Sequence, residues 1–84
     1  MNLPMKKYRV RLFSHLKYQL GRDFLEIEFS KKMMVQDLEQ KIRNVNPEIA
    51  EVPFRLAVNH EFVSGTHSVR AEDEIALIPP VQGG

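Results

Sequence analysis

Along this chain the hydrophobic positions switch repeatedly between a period of two and a period near 3.6. Residues 7–13, KYRVRLF, alternate: Tyr8, Val10 and Leu12 share one face, and Lys7, Arg9, Arg11 and Phe13 share the other. That predicts a strand with one side buried. Residues 14–21, SHLKYQLG, place Leu16 and Leu20 four apart, with Ser14 as a cap and Gly21 as a stop for a short helix. Residues 24–29, FLEIEF, alternate again, with Leu25, Ile27 and Phe29 on one side and Phe24, Glu26 and Glu28 on the other. Residues 35–45 carry Val35, Leu38, Ile42 and Val45 on one stripe of a three-turn helix, ended by Asn44, Asn46 and Pro47. Residues 54–58, FRLAV, form a third strand. Asn59-His60 makes a tight turn into a short return strand at Glu61-Phe62-Val63. Residues 74–78, EIALI, are the last strand, stopped by Pro79-Pro80.

With one long helix available to cover all the strands, the economical architecture is an α+β fold: one mixed sheet packed on one long helix. The expected inward set is Val10, Leu12, Leu25, Ile27, Leu38, Ile42, Leu56, Val58, Ile75 and Leu77. The same parity sends Phe13, Phe62 and Ile78 to the opposite, exposed face, together with Ala76. Large apolar side chains from three strands on one exposed face of so small a domain point to a partner surface.

Composition narrows the function. Eighty-four residues make one domain, 1–84, with 79–84 as an extended tail. Hydrophobic residues at 43% and charged residues at 27% suit a folded core. The chain has no cysteine, which excludes a disulfide scaffold, a thiolate metal site and a nucleophilic thiol. No apolar run approaches the roughly 20 residues of a membrane span, and the first residues show no signal-peptide pattern, so a cytoplasmic protein is expected. His15, His60 and His67 lack metal-site spacing and read as surface or turn residues; no phosphate-binding loop, dinucleotide fingerprint or G-x-S-x-G appears. A free-standing enzyme, a bound cofactor and a metal site are therefore not expected. Charge is lopsided: residues 1–22 hold six basic residues and no acid, whereas 23–84 hold six basic and eleven acidic residues. Pairing of the strand carrying Arg9 and Arg11 with the strand carrying Glu26 and Glu28 accounts for much of this, and no aromatic interleaving of the nucleic-acid kind accompanies it. The cluster Glu72-Asp73-Glu74 reads first as a solvated turn.

The ending Pro79-Pro80-Val81-Gln82-Gly83-Gly84 holds two of the chain's four glycines side by side. Two prolines favour an extended exit from the sheet, and six residues reach at most roughly 20 Å. Without Cβ atoms, Gly83 and Gly84 can thread a narrow channel and deliver one unhindered carboxylate.

The strand 7–13 followed by SHLKYQLG, the segment VQDLEQKI, the hairpin LAVNHEFV and above all DEIALIPPVQGG resemble the MoaD branch, the molybdopterin synthase small subunits, of the MoaD/ThiS sulfur carriers. The resemblance covers residues 7–84 and implies the ubiquitin-like β-grasp fold. Two departures stand out: Met34 where the family usually has a capping residue before the long helix, and Ala71-Glu72-Asp73 where its turn usually reads D-G-D.

The resemblance implies a chemistry. An E1-like partner would adenylate Gly84 with ATP, sulfur from a persulfide donor would displace AMP to leave a thiocarboxylate, and the large synthase subunit would receive the tail. Sulfur would then pass to a pyranopterin precursor to build the dithiolene of the molybdenum cofactor, in an assembly expected to be a heterotetramer. Gly84 and Gly83 would be the reacting end; Phe13, Phe62, Ile78, Pro79, Pro80 and Val81 would contact partners, with Arg11, Lys17 and Asp73 as polar contacts. ATP and the sulfur donor would be bound by the activating partner, and neither nucleic acid nor membrane is implied. Sulfur carriers for thiamine or tRNA thiolation and ubiquitin-like modifiers share this tail and differ in acceptor; a β-grasp interaction domain with an inert tail is the other class.

Overall fold

The computed structural model describes residues 5–29 and 32–79. Strand β1 spans Lys6–Leu12, helix α1 Ser14–Leu20, β2 Phe24–Phe29, β3 Met33–Met34, α2 Val35–Val45, β4 Arg55–Val58, β5 Glu61–Phe62, β6 Ser68–Val69 and β7 Ile75–Ile78, with a 3-10 turn at Pro47–Ile49. The five-stranded sheet has the order β2-β1-β7-β4-β5. Its two central strands, β1 and β7, run parallel, and the other pairings are antiparallel. The mixed sheet and its single long helix are the expected α+β architecture.

Strand parity and the apolar stripe of α2 build the core. All ten residues of the inward set are buried, at 3% exposure or less. Tyr8, Leu16, Met33, Val35, Ile49, Phe54 and Val69 join them. Fully burying a side chain of Leu or Ile size contributes about 1.5–3 kcal/mol, and a one-residue slip of any strand would turn its set to solvent.

Helix α1 ends in a Schellman motif. Gly21 is left-handed (φ 67°), its N–H donates to the Tyr18 carbonyl, and the Arg22 N–H donates to the Lys17 carbonyl, both at 3.2 Å. Ser14 is not the cap of this helix but its first residue. The N-cap is Phe13, extended at φ −132° and ψ 162° with no side-chain cap bond. Because Phe13 keeps strand-like backbone, it keeps the outward side of β1 although the strand itself ends at Leu12.

Helix α2 occupies the residues its stripe predicts, but Val45 is 50% exposed. Asn46 closes the helix by donating from Nδ2 to the Ile42 carbonyl at 2.9 Å, and Ile49 of the 3-10 turn, fully buried, fills the core beyond it. Met34 supplies no side-chain cap. Instead its N–H donates to Asp37 Oδ2 (3.1 Å), and the first helical N–H groups, of Val35 and Gln36, donate to the His67 and Gly65 carbonyls at 2.9 Å. Backbone carbonyls of the 64–68 loop thus replace the missing capping oxygen. That loop is held by a two-stranded ribbon, β3 with β6, which pairs Met33 with Val69. Two-residue strands carry no readable period, so the sequence pattern showed one sheet where there are two.

The expected charge pairing of β1 and β2 is present in register but not in contact. Arg9 faces Glu26 and Lys7 faces Glu28, yet the side chains found in contact among the described residues are Lys17 with Asp23 and His60 with Glu74. Arg9 instead lies over the Phe24 ring, 4.1 Å from its centroid. A guanidinium stacked on an aromatic face retains its hydration at the edge, which a direct exposed ion pair would forfeit for little gain.

Candidate functional site

The registers place one continuous row across the outer face of the sheet: Phe62, Ala57, Ala76, Arg11 and Phe24, on β5, β4, β7, β1 and β2 in turn. Phe62 and Arg11 flank the two methyl groups of Ala57 and Ala76. The result is a groove of ≈ 290 Å³ floored by Ala57 and Ala76 and walled by Phe13, Phe62 and Ile78. Phe62 is 52% and Phe13 39% exposed, while Ile78 is half-buried. The three apolar residues singled out by parity therefore line one concavity.

Arginines hold the exposed rings. The Arg55 guanidinium lies 4.3 Å from the Phe62 centroid, and that of Arg11 lies 5.6 Å from Phe13 and 5.8 Å from Phe24. Such cation–π contacts, worth about 0.5–1 kcal/mol each at exposed sites, favour these ring positions. One end of the groove carries an exposed pair, His60 Nε2 to Glu74 Oε2 at 2.9 Å. Arg55 and Ala57 were not among the residues the sequence singled out, and His60 and Glu74 read there as separate turn residues rather than as a pair at this face. The parity of Ala57, between Leu56 and Val58, was the available signal for it.

The polar candidates are dispersed. Arg11 lines the groove. Lys17 sits on α1, paired with Asp23 at 3.2 Å. Asp73 has structural partners: its Oδ2 accepts the Arg70 N–H (2.8 Å) and its Oδ1 accepts from Asn59 Nδ2 (3.2 Å). The Asn59 side chain in turn accepts the Glu74 N–H at 3.0 Å. Asp73 therefore ties the turn before β7 to the β4–β5 turn. Among the described residues the non-glycine positions with positive φ are Asn59 and His60, so Glu72 occupies its turn without left-handed strain.

Pro79 follows Ile78 directly at the end of β7 and is half-buried. Pro80, Val81, Gly83 and Gly84 lie outside the described residues. Among the described residues there is no cluster of three or more His, Asp or Glu placed to hold a metal, and no helix long and apolar enough to cross a membrane.

Comparison with known proteins finds relatives in sequence and in fold. The model of the ThiS family matches residues 10–84. The chain is 33% identical over 85 residues to a molybdopterin synthase sulfur carrier subunit of Dictyostelium discoideum, covering 93% of this chain and 96% of that protein. A solved structure of a putative molybdopterin converting factor, subunit 1, from Pyrococcus furiosus superimposes with a TM-score of 0.80 at 26% identity, covering 90% of this chain and 99% of that one. SAMP1 from Haloferax volcanii superimposes with a TM-score of 0.77 at 22% identity, covering 93% and 99%, which is a likeness of fold. This chain shares the ubiquitin-like β-grasp architecture with the two solved structures.

Proposed function

Because the chain belongs to the ThiS family, we propose that it is a sulfur carrier and serves as the small subunit of a molybdopterin synthase. The observation that carries this reading is the continuity of β7. One strand contributes Ala76 and Ile78 to the apolar groove and runs on into Pro79 and, in sequence, to Val81-Gln82-Gly83-Gly84. A partner that seats on the groove is thereby given the tail.

The chemistry follows from the group at Gly84. A carboxylate is a poor electrophile, so an E1-like partner activates it. The carboxylate oxygen attacks the α-phosphorus of ATP, pyrophosphate leaves, and an acyl-adenylate forms. The terminal sulfur of a persulfide attacks the acyl carbon and AMP leaves with the C–O electron pair; a thiol then cleaves the S–S bond and frees the thiocarboxylate. The loaded chain docks on the large subunit by Phe13, Phe62 and Ile78, with Pro79, Pro80 and Val81 guiding the tail. Gly83 and Gly84 reach the pyranopterin substrate, and two such deliveries supply the two sulfurs of the dithiolene. This chain's own residues supply the docking face and the carrier carboxylate, while ATP is held by the activating partner. A chain with no cysteine can carry sulfur this way because the sulfur rides on the terminus.

Co-expression with the adenylating enzyme followed by intact-mass measurement tests the reading. The expected product is heavier than the free chain by the difference between sulfur and oxygen. Deleting Gly84 abolishes that species and leaves the fold intact. Absence of the heavier species in the full-length chain, or its persistence in the truncated one, overturns the carrier assignment.

A further inference from the structure

A second concavity lies at the far end of β1. The parallel pairing of β1 with β7 covers only Val10–Leu12, so residues 6–9 lack a strand neighbour on that side. Beside this bare edge, β6 and the turn after it leave a cleft of ≈ 620 Å³ lined by Lys6, Lys32 and Arg70 together with Tyr8, Ser68 and Glu72. The three cations come from three separate segments and are exposed. Among the described residues none of them has a carboxylate within ion-pair distance. A concave wall carrying one excess sign of charge focuses its field and draws in counter-ions.

We propose that this cleft is an anion site for small phosphate-bearing molecules. Lys6 and Lys32 supply mobile point charges and Arg70 a planar fork, the mixture that suits a tetrahedral oxyanion. Tyr8 is 3% exposed, packed in the core, so its ring is a fixed part of the cleft wall, and Ser68 adds a second hydroxyl. Glu72 is the one acid among the lining residues. It opposes the anion and so lowers the affinity of the site in this chain. Lys6 is seven residues from Phe13 along an extended segment, roughly 23 Å at 3.3 Å per residue. The cleft is therefore separate from the apolar groove and can fill while the groove is docked.

Titration of the isotope-labelled full chain, followed by amide shifts at low ionic strength, tests this with pyrophosphate, inorganic phosphate and AMP as probes. The expected result is saturable shifts confined to Lys6, Tyr8, Lys32 and residues 68–72. Arg70→Gln and Lys32→Gln should each weaken binding about threefold, and Glu72→Gln should tighten it about threefold, as exposed charges do. Stronger binding of AMP than of inorganic phosphate identifies a phosphoester ligand; equal binding identifies the free anion. Shifts that rise without saturation, shifts of equal size at Arg9 and Arg11, or an affinity untouched by Glu72→Gln overturn the proposal.

Discussion

Ala57 lies directly opposite Ala76 in the β4–β7 register, and the two methyl groups floor the outer groove between the rings of Phe13 and Phe62. A larger residue at either position on the outer face would fill the space a partner needs. Ala76 is only half-buried, so its side chain grows toward the groove rather than into the core. Ala76→Leu is expected to fold normally and to weaken binding of the large subunit by at least about tenfold, the loss of one well-filled pocket. Isothermal titration against the purified partner measures it; unchanged affinity would move the docking surface elsewhere.

Two phenylalanines, Phe62 and Phe54, separate docking from stability. Phe62 is 52% exposed on the outer face, whereas Phe54 is 6% exposed in the core. Phe62→Asp should leave the thermal midpoint nearly unchanged and cost about 2 kcal/mol or more in partner binding, as truncation of a central aromatic anchor does. Phe54→Ala should cost about 3–5 kcal/mol of folding stability through the cavity it leaves. Chemical denaturation of both variants beside a binding assay distinguishes the two effects. Equal destabilisation by both would contradict the assignment of faces.

That contrast shows what was legible beforehand. Parity alone assigned Phe13, Phe62 and Ile78 to one face and the eight inward strand residues to the other, because a period of two leaves no freedom once one side is buried; the helical stripe supplied Leu38 and Ile42. The β3–β6 ribbon was illegible since two residues have no period. The position of Val45 was misjudged because an apolar stripe does not say where the sheet beneath it ends. Asp73 looked like a free acid in a solvated turn, and only the fold brings Asn59 within reach of it. The basic cleft at Lys6, Lys32 and Arg70 was equally hidden: its members are spread over 64 positions of sequence.

Arg43 is a further residue whose role the sequence did not disclose. Its Nη1 donates to the carbonyls of Ala50 (2.9 Å) and Val52 (2.8 Å), and its guanidinium lies 4.0 Å from the Phe54 centroid. One planar group thus joins α2, the loop after the 3-10 turn and the core ring ahead of β4. A lysine ammonium cannot both fork and stack. Arg43→Lys is expected to cost about 1.5–3 kcal/mol, the range for hydrogen bonds to a charged group. A denaturant midpoint equal to that of the unsubstituted protein would show these contacts to be dispensable.

The β4–β5 turn offers the opposite prediction, a gain. Both of its central residues are left-handed, Asn59 at φ 52° and His60 at φ 72°, the geometry of a two-residue hairpin whose second position favours glycine. A side chain with Cβ held there costs about 1–2 kcal/mol, and the greater freedom of glycine in the unfolded chain returns about 0.4–1 kcal/mol of that. The His60–Glu74 pair lost on substitution has side chains 79% and 63% exposed, and pairs so exposed contribute little. His60→Gly should therefore stabilise the protein by about 0.5–1 kcal/mol. For a domain of this size the thermal midpoint should rise by several degrees, at about 4–8 °C per kcal/mol. A midpoint that stays or falls would mean that the imidazole contributes more to the turn than its exposed contact with Glu74 accounts for.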